Sequence, residues 1–106
     1  MMTERDHHIL QIFAARVRQR FPAARLWAFG SRARGDATWE SDLDICVVLE
    51  KLTYEDRDTI GHIAWEVGFE YEMVIMTVCF TDEGFECGPM SESTLVMNRL
   101  REGVTA

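Results

Sequence analysis

The sequence predicts an α/β (α+β) fold in which helices cover a small mixed sheet. Three observations lead there. Stretches with helical hydrophobic periodicity alternate with short runs rich in β-branched and aromatic residues. The chain has 106 residues, enough for one core and too few for two, so a single domain spanning 1–106 is expected. Apolar residues make up 47% and charged residues 27%, the balance of a chain that folds.

The first helix is read from about Asp6 to Gln19, where Ile9, Phe13 and Val17 recur every four residues beside Leu10 and Ile12, and Pro22 follows its end. The run from Arg25 to Phe29 is a strand, stopped by Gly30, and Leu43 to Leu49 is a second and better buried one. The polar segment between them, Ser31 to Ser41, has room for one helical turn and a loop. It is too long for a tight hairpin, and a functional loop explains its length. Thr53 caps a helix from about Tyr54 to Val67, with Asp56 as the partner in a weak capping box and Gly68 as the stop. Glu70 to Val78 reads as a third strand, Thr81 to Pro89 as a loop, and Ser91 to about Arg101 as a last helix closed by Gly103.

Composition also excludes functions. The net charge is −7, from 11 basic and 18 acidic residues, which argues against gripping a long nucleic acid through its phosphates. No apolar run approaches the roughly 20 residues that span a bilayer. The N-terminus is polar and has no signal-like apolar core, so the cytoplasm is the expected compartment. Cys46, Cys79 and Cys87 are odd in number and widely spaced, which speaks against a disulfide framework, and no CxxC pair supports a zinc site from Cys79, Cys87 and His62. Among the basic residues, Arg16, Arg18, Arg20 and Arg25 read as a solvated helix face.

The chemistry concentrates in Gly30-Ser31-Arg32-Ala33-Arg34-Gly35 and Ser41-Asp42-Leu43-Asp44. Asp42 and Asp44, two apart on a strand, point to one face. Adjacent carboxylates in an apolar strand repel and lose hydration, a conflict that a divalent cation resolves; magnesium takes carboxylate oxygens, waters and phosphates. Gly30 lets a ligand approach the backbone, and Ser31 offers a hydroxyl and an N–H to a phosphate. Arg32 flanks that cradle and is a candidate substrate contact, Arg34 a weaker one. A turn between Ser31 and Asp42 would bring cradle and carboxylates together, where two metal ions could serve an attacking and a leaving oxygen.

Gly-Ser, ten residues, then Asp-x-Asp resembles the signature of the DNA polymerase β-like nucleotidyltransferase superfamily, and GSRARG…SDLDICVVL looks like its small MNT branch, the minimal nucleotidyltransferases. The likeness covers nearly the whole chain, including the ending NRLREGV from Asn98 to Val104. The resemblance implies the corresponding fold, a nucleoside triphosphate such as ATP, two Mg2+ ions, and a third catalytic carboxylate on the third strand. Glu72 fits that place best and Glu70 is the second choice; either reaches further than the family's usual Asp. It also implies a partner: such proteins pair with a helical HEPN ribonuclease as its antitoxin, and some transfer AMP to a tyrosine of the toxin. An acidic protein would complement a basic RNA-binding groove.

The resulting expectation is transfer of a nucleoside monophosphate to a protein hydroxyl. The catalytic and metal-binding residues are Asp42, Asp44 and Glu72, and the phosphate-binding residues are Gly30, Ser31 and Arg32. The alternatives are a contact antitoxin with a degenerate site and transfer to a small molecule, while homo-oligomerisation stays open. Trp27, Trp65, Met73, Met76, Met90 and Met97 read as core. Trp39 is equally suited to stacking on a base, contacting a partner or packing its loop. His7 and His8 are expected at an exposed helix start.

Overall fold

The computed structural model describes residues 2–35, 41–81 and 103–106. The first helix, α1 (Glu4–Arg20), is capped by Thr3, whose hydroxyl accepts the Asp6 N–H at 3.1 Å. Acidic residues in its first turn and arginines in its last complement the helix dipole. Its apolar stripe, Ile9, Leu10, Phe13, Ala14 and Val17, is buried. A tight return closed by the Ala24 N–H on the Phe21 carbonyl leads into β1 (Arg25–Phe29). The short helix α2 (Gly30–Arg34) follows β1, and the chain returns as β2 (Leu43–Leu49).

Thr53 and Asp56 form a complete capping box at the start of α3 (Tyr54–Tyr71), with both bonds at 3.1 Å. This helix is the crossover that parallel strands require, and it leads to β3 (Ile75–Thr81). A two-residue strand, β4 (Val104–Thr105), closes the described chain. The sheet order is β3-β2-β1-β4, with β2 parallel to β3 and antiparallel to β1. The mixed sheet with its helices is the architecture the sequence predicts.

Alternation along β2 separates two environments. Leu43, Ile45, Val47 and Leu49 join Leu26, Ala28 and the stripes of α1 and α3 in one core. Cys46 and Val48, on the other face, are buried among Trp27, Phe29 and Phe80. The carboxylate of Asp44 lies on this second face.

Three expectations are corrected, and one strand is added. The helix α3 does not stop at Gly68; it runs one turn further, and the third strand starts at Ile75 instead of Glu70. Gly68 serves close packing instead, since a Cβ there would collide with the Met73 carbonyl. Its own carbonyl accepts the N–H groups of Glu72 and Met73, the latter at 2.8 Å. The left-handed cap falls on Glu72, at φ 53°, a conformation that costs a non-glycine residue about 1–2 kcal/mol. Trp65 and Met76 are exposed and not core, because Trp65 lies off the Ile60, Ile63, Ala64, Val67 stripe and Met76 shares the sheet face of Asp44. Finally, the chain after Gly103 pairs with β1. The expected 91–101 helix, most of the 81–89 loop, Trp39, Cys87, Met90 and Met97 lie outside the described residues.

Candidate active site

Antiparallel pairing sets Phe29 of β1 opposite Asp44 of β2. The next residue, Gly30, turns at φ +76° into α2, and a Cβ on it would collide with the Asp44 carboxylate. The position therefore demands glycine twice, for its backbone angle and for the approach of the carboxylate. Asp42 is exposed just ahead of β2, and strand alternation puts it on the face of Asp44. Ser31 is partly exposed in the first turn of α2, one residue from the Gly30–Asp44 contact. The structure thus brings Gly30, Ser31 and Asp44 to one end of β1 and β2, with Asp42 beside them.

Arg32 turns inward. It is 7% exposed, its Nε donates to the Ser41 carbonyl at 2.8 Å, and its terminal nitrogen donates to Asp6 Oδ1 at 3.0 Å. Asp6, 3% exposed, belongs to α1. One guanidinium therefore ties the first helix to both ends of the loop that separates Ser31 from Asp42. A planar fork of donors suits this spanning role in a way that a lysine ammonium does not. Asp6 is the residue that sequence reasoning passed over. Its signal was present, because Asp6 stands three and four residues before Ile9 and Leu10 and so shares their buried face.

The third carboxylate has a different setting. Glu72 is exposed at the left-handed cap of α3, off the third strand. Glu70 lies within α3, with its carboxylate 2.7 Å from the Arg16 guanidinium. The registers Asp44↔Met76 and Leu43↔Ile75, with the Leu43 N–H donating to the Val74 carbonyl at 2.9 Å, put Met76 beside Asp44 and Val74 beside Asp42. Val74 is 61% and Met76 50% exposed. Both also line an open groove of about 850 Å³ with Trp65, Phe69 and Glu72.

Among the described residues, no three His, Cys, Asp or Glu side chains gather as a metal site. Two carboxylates on one face, next to a glycine cradle that a Cβ would fill, still suit one hard cation that also holds phosphate oxygens. Cys46 and Cys79 do not compete for this role. Burial pushes the Cys46 thiol up to about 12, with the neighbouring Cys79 adding to the shift, and burial also raises Cys79. Both stay protonated near neutrality and are poor metal ligands. His62 packs on Trp65 and lies 2.9 Å from Glu66. No helix among the described residues is long and apolar enough to cross a membrane.

Comparisons with known proteins bear on the fold and the family. The model of the family described as a nucleotidyltransferase domain matches residues 10–102. A curated protein of Haemophilus influenzae, named "Probable protein adenylyltransferase MntA", is 31% identical over 77 residues, which cover 72% of this chain and 68% of that protein. A crystal structure from Sulfolobus solfataricus, described as that of a nucleotidyltransferase, superimposes with a TM-score of 0.60 at 20% identity, covering 96% of this chain and 82% of the other. At that identity the likeness speaks for the fold alone.

Proposed function

Given that the chain belongs to the nucleotidyltransferase domain family, we propose that it transfers a nucleoside monophosphate, AMP from ATP, to a protein hydroxyl in the cytoplasm. The observation that carries this reading is the approach of Gly30 to the Asp44 carboxylate, with Asp42 on the same face. The name of the Haemophilus relative supports a protein as acceptor.

In this reading the triphosphate lies along Gly30 and Ser31, its oxygens meeting the Ser31 hydroxyl and the exposed backbone beside it. Asp42 and Asp44 would hold magnesium, which would neutralise phosphate charge and polarise the α-phosphorus. The acceptor oxygen bonds to the α-phosphorus, the bond from that phosphorus to the bridging oxygen breaks, pyrophosphate leaves, and the hydroxyl proton passes to water. Arg32 and Asp6 act as positioning residues that hold the loop carrying Asp42. The acceptor is a HEPN-type helical toxin, and the chain is its antitoxin. A net charge of −7 favours a basic, RNA-binding surface on that partner.

The test is incubation of the chain with a HEPN-type helical toxin and ATP labelled on the α-phosphate. The expected result is a mass gain of one AMP on the partner, lost with Asp42→Asn. An unlabelled partner, or undiminished labelling by Asp42→Asn, would contradict the proposal. A second reading, a nucleotide-binding antitoxin that acts by contact, is favoured by one observation, the apolar Val74 and Met76 next to the carboxylates.

A further inference from the structure

We infer that this site takes its nucleotide with one divalent cation and not two, because the places for a third carboxylate on β3 and just before it are filled by Met76 and Val74. The inference rests on the nucleotide-transfer reading and specifies its metal requirement.

The register carries the argument. Partners in a parallel pair share a face, so Met76 of β3 flanks Asp44, and Val74, one residue before the strand, continues the alternation beside Asp42. Neither side chain carries a hard oxygen. Leu43 N–H on the Val74 carbonyl fixes this register at the end of β2 where the carboxylates stand. Slipping β3 by one residue would turn Met76 and Val74 to the opposite face and bring Ile75 with either Met73 or Thr77 into their place, none of them a carboxylate. Glu72 is next in the alternation, but the chain there has left the strand for the αL cap of α3, with its N–H on the Gly68 carbonyl. Gly68 packs against Met73 so tightly that the cap cannot be redrawn as strand without opening the α3–β3 junction. Two carboxylates serve one magnesium together with phosphate oxygens and water; two ions near 3.5–4 Å apart need more anionic ligands than this pair, and the described residues gather no third carboxylate with it.

The experiment counts Mn2+ by electron paramagnetic resonance. The whole chain is saturated with an ATP analogue whose α,β-bridging oxygen is replaced by methylene. One bound Mn2+ per bound nucleotide is expected for the wild type. Glu72→Gln should leave both that count and the nucleotide affinity unchanged within twofold. Met76→Asp or Val74→Asp, each at a half-exposed position that tolerates a charge, should raise the count to two. Two ions in the wild type, a lower count in Glu72→Gln, or a count that stays at one in both Asp variants would overturn the inference while leaving nucleotide binding in place. No nucleotide bound by the wild type would overturn the functional reading itself, and this inference with it.

Discussion

The two arms of the sheet on either side of β2 behave differently. On the β1 side, the chain from Phe29 to Asp44 is held at several points: Gly30 against a carboxylate, Gly35 closing α2 on the Ser31 and Arg32 carbonyls, and Arg32 bonded to both Ser41 and Asp6. On the β3 side, the edge strand shows Val74, Met76 and Val78 to the surface, and Trp65 and Phe69 stack on one another in the open on α3. The first arm spends polar groups on fixing a loop. The second presents apolar groups on the outer strand of the sheet that the described residues form, a surface more suited to covering by another molecule than to chemistry. The lesson is that in this chain positional precision belongs to the glycine and serine side of the site, and the β3 side contributes shape.

That contrast can be broken most strongly at Arg32. Arg32→Ala leaves Asp6 buried without its cation, and removing one partner of such a pair costs about 3–5 kcal/mol. Urea unfolding should show this loss, and Arg32→Lys should recover only part of it. The two glycines give the next test. Gly30→Ala and Gly68→Ala should each lose on the order of 1–3 kcal/mol through a collision with a neighbouring atom, measured by thermal melting. Only Gly30→Ala should also lose ATP binding, since only that glycine touches an active-site carboxylate.

A smaller effect separates the faces by pH. The Cys46 thiol is raised from 9.0 to about 12, so the folded state keeps a proton that the unfolded chain gives up. Its contribution is fully present below pH 9 and is lost as pH rises from 9 towards 12. The fall of unfolding free energy over that window should be shallower in Cys46→Ala than in the wild type. The smallest expected effect is at the exposed edge, where Met76→Ser should change stability by less than about 0.5 kcal/mol in the same urea assay.

The sequence made the first arm legible because its signals are local. The strands at Arg25–Phe29 and Leu43–Leu49 carry their apolar runs in full, and glycine, serine and the paired aspartates stand at fixed spacing. The second arm depends on a tertiary contact. Gly68 reads locally as a helix stop, but its missing side chain makes room for the Met73 carbonyl, and that contact shifts the start of β3 and leaves Glu72 in a cap. Asp6 was obscured for a related reason, since its partner Arg32 is 26 residues away and the pair exists only after α1 packs on α2. The exposure of Trp65 follows from its place off the buried stripe of α3, a pattern that was readable but was outweighed by the expectation that large aromatics are core.

The central claim is that Asp44, held against Gly30, forms a metal-dependent nucleotide site with Asp42. Calorimetric titration of the chain with ATP, with and without magnesium, tests it most directly, with Asp44→Asn as the comparison. The account predicts binding by the wild type only when magnesium is present, and no binding by a folded Asp44→Asn. Equal binding by the two proteins, or binding indifferent to magnesium, would contradict it.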